Sequence, residues 1–211
     1  QRGQPGASLV LQQGLRAGKL LVATPEITSG VFHMSVVFLI EHDPTDSAFS
    51  ADSADGGGGS LGVVLNRPTR TPVGAVLADW HDLMTAPSVL HEGGPVQTDG
   101  ALCLGRLHPS TADAVPRGVR PTTGDVGLVD LDADTEVVAP QVSALRVFAG
   151  HSGWEAGQLA EEVADGAWFV VPARASDLFS PEPEQLWRTV LRRQPAPLWW
   201  LMTFPDDPAD N

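Results

Sequence analysis

This sequence predicts an α+β fold: one compact domain with a mostly antiparallel or mixed sheet, open or barrel-like, and a few helices gathered mainly in the C-terminal half. Three observations lead there. Short apolar runs bounded by proline and glycine outnumber stretches with helical spacing. The helical spacings come mostly late in the chain, instead of alternating with strands as a doubly wound sheet would require. A chain of 211 residues, 42% of them hydrophobic, is long enough to bury one sizeable core.

In chain order, residues 1–14 are read as a polar tail and residues 15–205 as the domain. Lys19–Thr24 is an apolar run halted by Pro25, a strand ended by proline. Ser35–Glu41, rich in Val, Phe and Ile, is a second strand, and its near-continuous apolar character marks burial on both faces. Ser60–Asn66 is a third, ended by Pro68 and expected to pair antiparallel with the second. Between them, residues 43–59 form an acidic, Gly-rich insertion. It carries Asp43, Asp46, Asp52 and Asp55, no basic residue and the run Gly56–Gly59, a composition that buries no apolar surface.

Thr71–Pro72 reads as an N-cap followed by proline at the first helical position, opening a short helix through Leu77. Val89–Leu90 and Ala101–Leu107 are strands on either side of a Gly93-Gly94-Pro95 turn. Residues 109–124 are turn-rich and irregular, and Val126–Leu131 and Ala144–Phe148 are further strands. Ser152–Glu155 fits the Ser-x-x-Glu capping box. The helix it opens carries Ala156, Leu159, Ala160 and Val163 on one face and ends at Gly166. Ala167–Val171 is the last strand. Ser180–Pro181 opens a final helix with Leu186, Trp187, Val190 and Leu191 on its apolar side, and Arg192–Arg193 complement its dipole. Leu198–Phe204 closes the domain before an acidic tail over residues 206–211.

Charge excludes whole classes of partner. The net charge is −13, Lys19 is the sole lysine, and the arginines are scattered. Nucleic-acid and anionic-membrane binding both need clustered cations, so neither is expected. No apolar run is long enough to span a bilayer, and the first residues show no apolar leader, so a cytoplasmic location is the default expectation. Cys103 is the lone cysteine and sits in an apolar run as a small core residue, so no internal disulfide forms.

Most familiar chemistry fails on spacing. Gly150-His151-Ser152-Gly153-Trp154 approaches the nucleophile elbow Gly-x-Ser-x-Gly, but Trp154 stands where the sharp turn needs glycine. The six histidines show no HExxH or comparable metal pattern. Asp130, Asp132, Asp134 and Glu136 are spaced like a calcium loop, but Thr135 stands where that loop needs glycine. No catalytic residue, metal or cofactor is assigned. What remains is three Gly-rich, polar segments that a core does not need. They nominate a ligand-binding patch of Asn66, Arg67, Gly93, Gly94, His151, Trp154 and Gln158. Turn amides at Gly93–Gly94 and at a helix start near Gly153 would present N–H groups, and Arg67 would supply charge, for a small anionic ligand or a protein partner.

The same segments, in order, resemble the AlgH/YqgE family of bacterial proteins. The matching pieces are Gly18–Pro25, Phe32–His42, Gly62–Pro68, Gly93–Val96, Phe148–Trp154, Gly157–Leu159 and Gly166–Trp168. Two features depart from the family pattern: the longer 43–59 insertion, and His151 where an aromatic such as Tyr is more usual. The resemblance implies a compact α+β fold, a cytosolic location and no defined activity; one branch carries a name tied to transcriptional control of alginate production. With a net charge of −13, such an effect would run through a ligand or a protein partner. The leading expectation is therefore a non-enzymatic cytosolic binding or indirectly regulatory protein. The alternatives are a hydrolase or transferase acting on an anionic or acyl substrate through His151, and an interaction module working through the 43–59 loop.

Overall fold

A computed structural model of the chain describes residues 14–43, 59–109, 115–195 and 198–203. The 43–59 insertion, apart from its two end residues, lies outside them, as do residues 1–13 and the acidic tail.

The described residues form ten strands: β1 Lys19–Ala23, β2 Val36–Asp43, β3 Gly59–Val64, β4 Pro68–Pro72, β5 Val89–Glu92, β6 Val96–Leu107, β7 Val119–Thr123, β8 Val126–Val129, β9 Val142–Glu155 and β10 Trp168–Pro172. Four short helices accompany them: α1 Thr135–Val138, α2 Gln158–Ala164, α3 Ala175–Leu178 and α4 Leu186–Arg192. The fold is α+β with a mixed sheet.

The chain groups into two compact units, each discontinuous in sequence: Gln1–Gly62 with Gly153–Ala173 and Trp187–Asn211, and Val63–Ser152 with Arg174–Leu186. Strands β3 and β9 run through the division between Gly62 and Val63 and between Ser152 and Gly153.

In the first unit β1 lies between β10 and β2, antiparallel to both, with Leu21 opposite Val170 and Val37. Leu20, Leu21, Val22, Val36, Val37 and Leu39 have no exposed surface, so these strands are buried on both faces as their unbroken apolar runs require. Trp187 of α4 is seated by its indole N–H, which donates to the Ala23 carbonyl at 3.0 Å. Leu159 and Val163 form the buried stripe of α2.

In the second unit β9 pairs antiparallel with β6, Cys103 opposite Val147, and parallel with β5, His91 opposite Phe148. β4 pairs with β5 in turn, and β8 and β7 extend the sheet beyond β6. One face of β9 presents Leu145 and Val147 to a core cluster that includes Val73, Trp80, Cys103, Val119, Val129, Val138 and Val142.

Five local expectations are corrected. Ser180–Pro181 does not open the final helix: a 3-10 turn over Pro183–Gln185, which has proline in its first turn, leads into α4 at Leu186. Thr71–Pro72 does not open a helix: Pro68–Pro72 is strand β4, and only a 3-10 turn, Val73–Ala75, follows. Pairing with β5 overrides the local capping signal, and Pro72 is extended at φ −61°, ψ 140°. Residues 119–123, read as irregular, form β7, joined to β8 through Gly124 at φ +62°. Ala144–Phe148 is the middle of a strand of 14 residues. Ser152–Glu155 is no capping box, because β9 continues through it and α2 starts beyond Gly157, whose φ is +81°. The anion site expected at a helix start near Gly153 is therefore absent. The acidic run after Asp130 makes turns instead: Asp134 accepts from the Glu136 N–H at 2.9 Å and caps α1, and Asp130 accepts from the Asp132 N–H at 3.0 Å.

Candidate functional site

Five of the seven nominated residues lie in the second unit, and the insertion of β5 beside β9 brings them together. Asn66 is buried and Arg67 half-buried just before β4. The Arg67 carbonyl accepts the Glu92 N–H at 2.8 Å, which ties this segment to the end of β5. The Gly93 N–H then donates to the Ala149 carbonyl of β9 at 2.8 Å, and His151 stands in register with Val96 of β6. A four-residue strand thus ties the Arg67 segment, through Glu92, to β9, through Gly93.

The glycines have a specific reason to be there. A Cβ on Gly93 would fall on the Gly150 carbonyl oxygen, and one on Gly94, at φ +150°, on the His151 carbonyl. The two backbones approach more closely than any side chain allows. This alters the expectation that the Gly93–Gly94 turn presents open amides, since the Gly93 N–H is spent on Ala149. The Gly93 carbonyl is spent as well: it accepts the Val64 N–H at 2.9 Å and the Ser152 hydroxyl at 3.1 Å. Ser152 has no exposed surface, so its hydroxyl closes the scaffold and does not face a substrate.

Two cationic or titratable side chains remain at the surface of this region. Burial lowers the Arg67 pKa and the Glu92 carboxylate opposes that shift; its Nη1 donates to the Asn66 carbonyl at 3.1 Å. His151 is half-buried, and loss of hydration holds its pKa below the ordinary histidine value, favouring the neutral ring at pH 7.

Trp154 and Gln158 belong to the first unit, where they meet at a residue the sequence did not single out. The Glu162 carboxylate accepts the indole N–H of Trp154 at 2.9 Å and that of Trp168 at 2.8 Å on one oxygen, and the Gln158 amide at 3.0 Å on the other. Gln158 also accepts the Glu155 N–H at 3.0 Å through its side-chain oxygen, closing the turn into α2. The two indoles meet edge-on, 6.2 Å apart at 83°, with Phe32 against both. Glu162 was findable as the residue one helical turn after Gln158. Glu92, by contrast, carries no sequence signal that separates it from any exposed glutamate. Among the described residues no group of three His, Cys, Asp or Glu is placed to hold a metal ion, and no helix is long and apolar enough to cross a membrane.

This architecture, a mixed sheet with a short parallel insert locked by glycine contacts, defines a class of α+β protein, and comparison with known proteins identifies which. The AlgH-like family model (DUF179) matches residues 20–199. A UPF0301 protein of Streptomyces coelicolor is 47% identical over 195 residues, 92% of this chain and 94% of that one. A UPF0301 protein of Rhodococcus opacus is 45% identical over 198 residues, covering 93% of this chain and 92% of its own. A crystal structure of a protein from Corynebacterium diphtheriae matches with a TM-score of 0.79 at 32% identity, covering 97% of this chain and 95% of that one. The solution structure of the AlgH protein from Pseudomonas aeruginosa shares the fold, with a TM-score of 0.60 at 24% identity over 97% of this chain and 98% of its own. The chain belongs to the AlgH-like family.

Proposed function

We propose that this chain is a non-enzymatic, cytoplasmic binding protein whose recognition surface centres on Arg67 and includes His151, with Asn66 buried behind it, and whose ligand is a small anion. The observation that supports this reading is the partial burial of Arg67 at the point where β4, β5 and β9 are locked together. A partly desolvated guanidinium interacts more strongly with an anionic oxygen than a fully hydrated one does, and its planar fork suits carboxylate and phosphate alike. The Glu92 carboxylate acts on the same cation, so the ligand must outcompete it, which favours a bidentate or doubly charged group. Trp154 and Gln158 enter this reading only as donors to Glu162 that order the start of α2. With a net charge of −13, an effect on transcription would be indirect, exerted through the ligand or a protein partner.

A thermal-shift screen of anionic metabolites on the wild type and on Arg67→Ala tests it. A ligand at about a hundred times its Kd stabilises by about 2.7 kcal/mol, which for a chain of this size raises the Tm by roughly 5–10 °C. The expected result is a shift in the wild type that is lost in a folded Arg67→Ala variant. An equal shift in both, or none in either, overturns the assignment of Arg67. Turnover of the compound would overturn the non-enzymatic part.

A further inference from the structure

The face of β9 opposite the core cluster holds a second polar group. Arg146 is 2% exposed and His91 0% exposed. His91 stands directly opposite Phe148 in the parallel β5–β9 register, with the rings 5.8 Å apart. Arg146 lies two residues before Phe148 and so projects from the same face of β9. His91 and Arg146 are therefore diagonal neighbours on adjacent strands.

Both side chains are satisfied except at one atom. Arg146 donates from Nη1 to the Leu178 carbonyl at 3.2 Å and from Nη2 to the Ala86 carbonyl at 2.8 Å. His91 Nδ1 lies 3.1 Å from the Val89 carbonyl. A carbonyl only accepts, so Nδ1 carries the proton and Nε2 of the neutral ring is a lone-pair acceptor. Arg146 Nε and His91 Nε2 are both buried and have no hydrogen-bond partner among the described residues. One is a donor and the other an acceptor.

We propose that one internal water molecule bridges them, accepting from Arg146 Nε–H and donating to His91 Nε2, and so pins β5 to β9. The chemistry of the two atoms selects this occupant. An anion would meet the His91 lone pair, and a cation would meet the guanidinium. Water has the required acceptor and donor together, and buried waters characteristically join such groups. Desolvation and the nearby Arg146 charge both hold His91 in the neutral form this arrangement needs, with its pKa lowered to about 4.

A crystal structure of the wild type at a resolution that orders internal water tests the bridge, together with 15N chemical shifts of the His91 ring. The expected result is one water oxygen within about 3 Å of both atoms, with the ring protonated on Nδ1. A direct bond from either atom to a protein group, no ordered water between them, or a ring protonated on Nε2 overturns it. A folded His91→Phe variant is expected to lose the water; its retention on Arg146 alone also overturns the bridge. The wild-type measurements decide the question even if the variant does not fold.

Discussion

The hydroxyl of Ser152 donates to the carbonyl of Gly93 across 59 residues of sequence, at 3.1 Å and out of contact with solvent. The Gly93 carbonyl keeps a second donor, the Val64 N–H at 2.9 Å. Ser152→Ala therefore removes one bond without orphaning its acceptor. The expected cost is about 1 kcal/mol, read as a lower denaturant midpoint with an unchanged slope.

Gly94→Ala is expected to do much more. Its Cβ would fall on the His151 backbone and on the Ser152 hydroxyl, at φ +150°. Backbone gives way less readily than a flexible side chain, so a loss of at least about 2 kcal/mol is expected, or failure to fold. Gly124→Ala is the control. That position also has positive φ, +62°, but open space around it, and should cost only about 1–2 kcal/mol. Equal Tm losses for the two would show that close approach is not what holds Gly94.

Stability should fall on mild acidification. His91 has a folded-state pKa of about 4 against an ordinary value of 6.5, so the folded state disfavours the protonated ring. Its contribution is complete above pH 6.5 and is lost progressively as pH falls toward 4, because the unfolded chain takes up the proton first. At about 1.4 kcal/mol per pH unit the loss approaches 3 kcal/mol. His42 and His151, whose pKa values burial also lowers, add to it with the same sign. Denaturant midpoints measured between pH 7.5 and pH 4.5 test this, and a folded His91→Phe variant should show a shallower decline.

Removing the Glu162 carboxylate should destabilise through its tryptophans. Glu162→Ala strips the acceptor from two indole donors, one of them on Trp168, which is 2% exposed. About 2–4 kcal/mol is expected, with a change in tryptophan emission. Glu162→Gln keeps an oxygen for the indoles and should lose clearly less. A fold indifferent to Glu162→Ala would mean that this carboxylate does not organise the turn into α2.

Much of the first unit was readable in advance. β1, β2, β3 and β10 are apolar runs whose bounds fall within a few residues of those expected, and in β1 and β2 the run is near-continuous because both faces are buried. β4 and β7 were not readable. Pro68-Thr69-Arg70-Thr71-Pro72 and Val119-Arg120-Pro121-Thr122-Thr123 have almost no apolar content and exist as strands through their pairing with β5 and β8. At the candidate site, the nominated segments of the second unit do meet, but the reason for their glycines was invisible. A glycine needed for a turn and one needed for the approach of a distant backbone look identical in sequence.

The sequence by itself determined the α+β class and most of the strands, and its ordered motifs marked the family. The class and the strands follow from composition and from local apolar patterning, which the hydrophobic effect translates into burial without reference to distant residues. Tertiary structure alone decided which polar groups go inside and what satisfies them: Ser152 on Gly93, Arg146 on Ala86 and Leu178, and Glu162 under two indoles. A buried hydrogen bond needs a particular partner at a particular distance and angle. For Ser152 and Arg146 that partner lies 32 to 60 residues away, and only the folded chain brings it there.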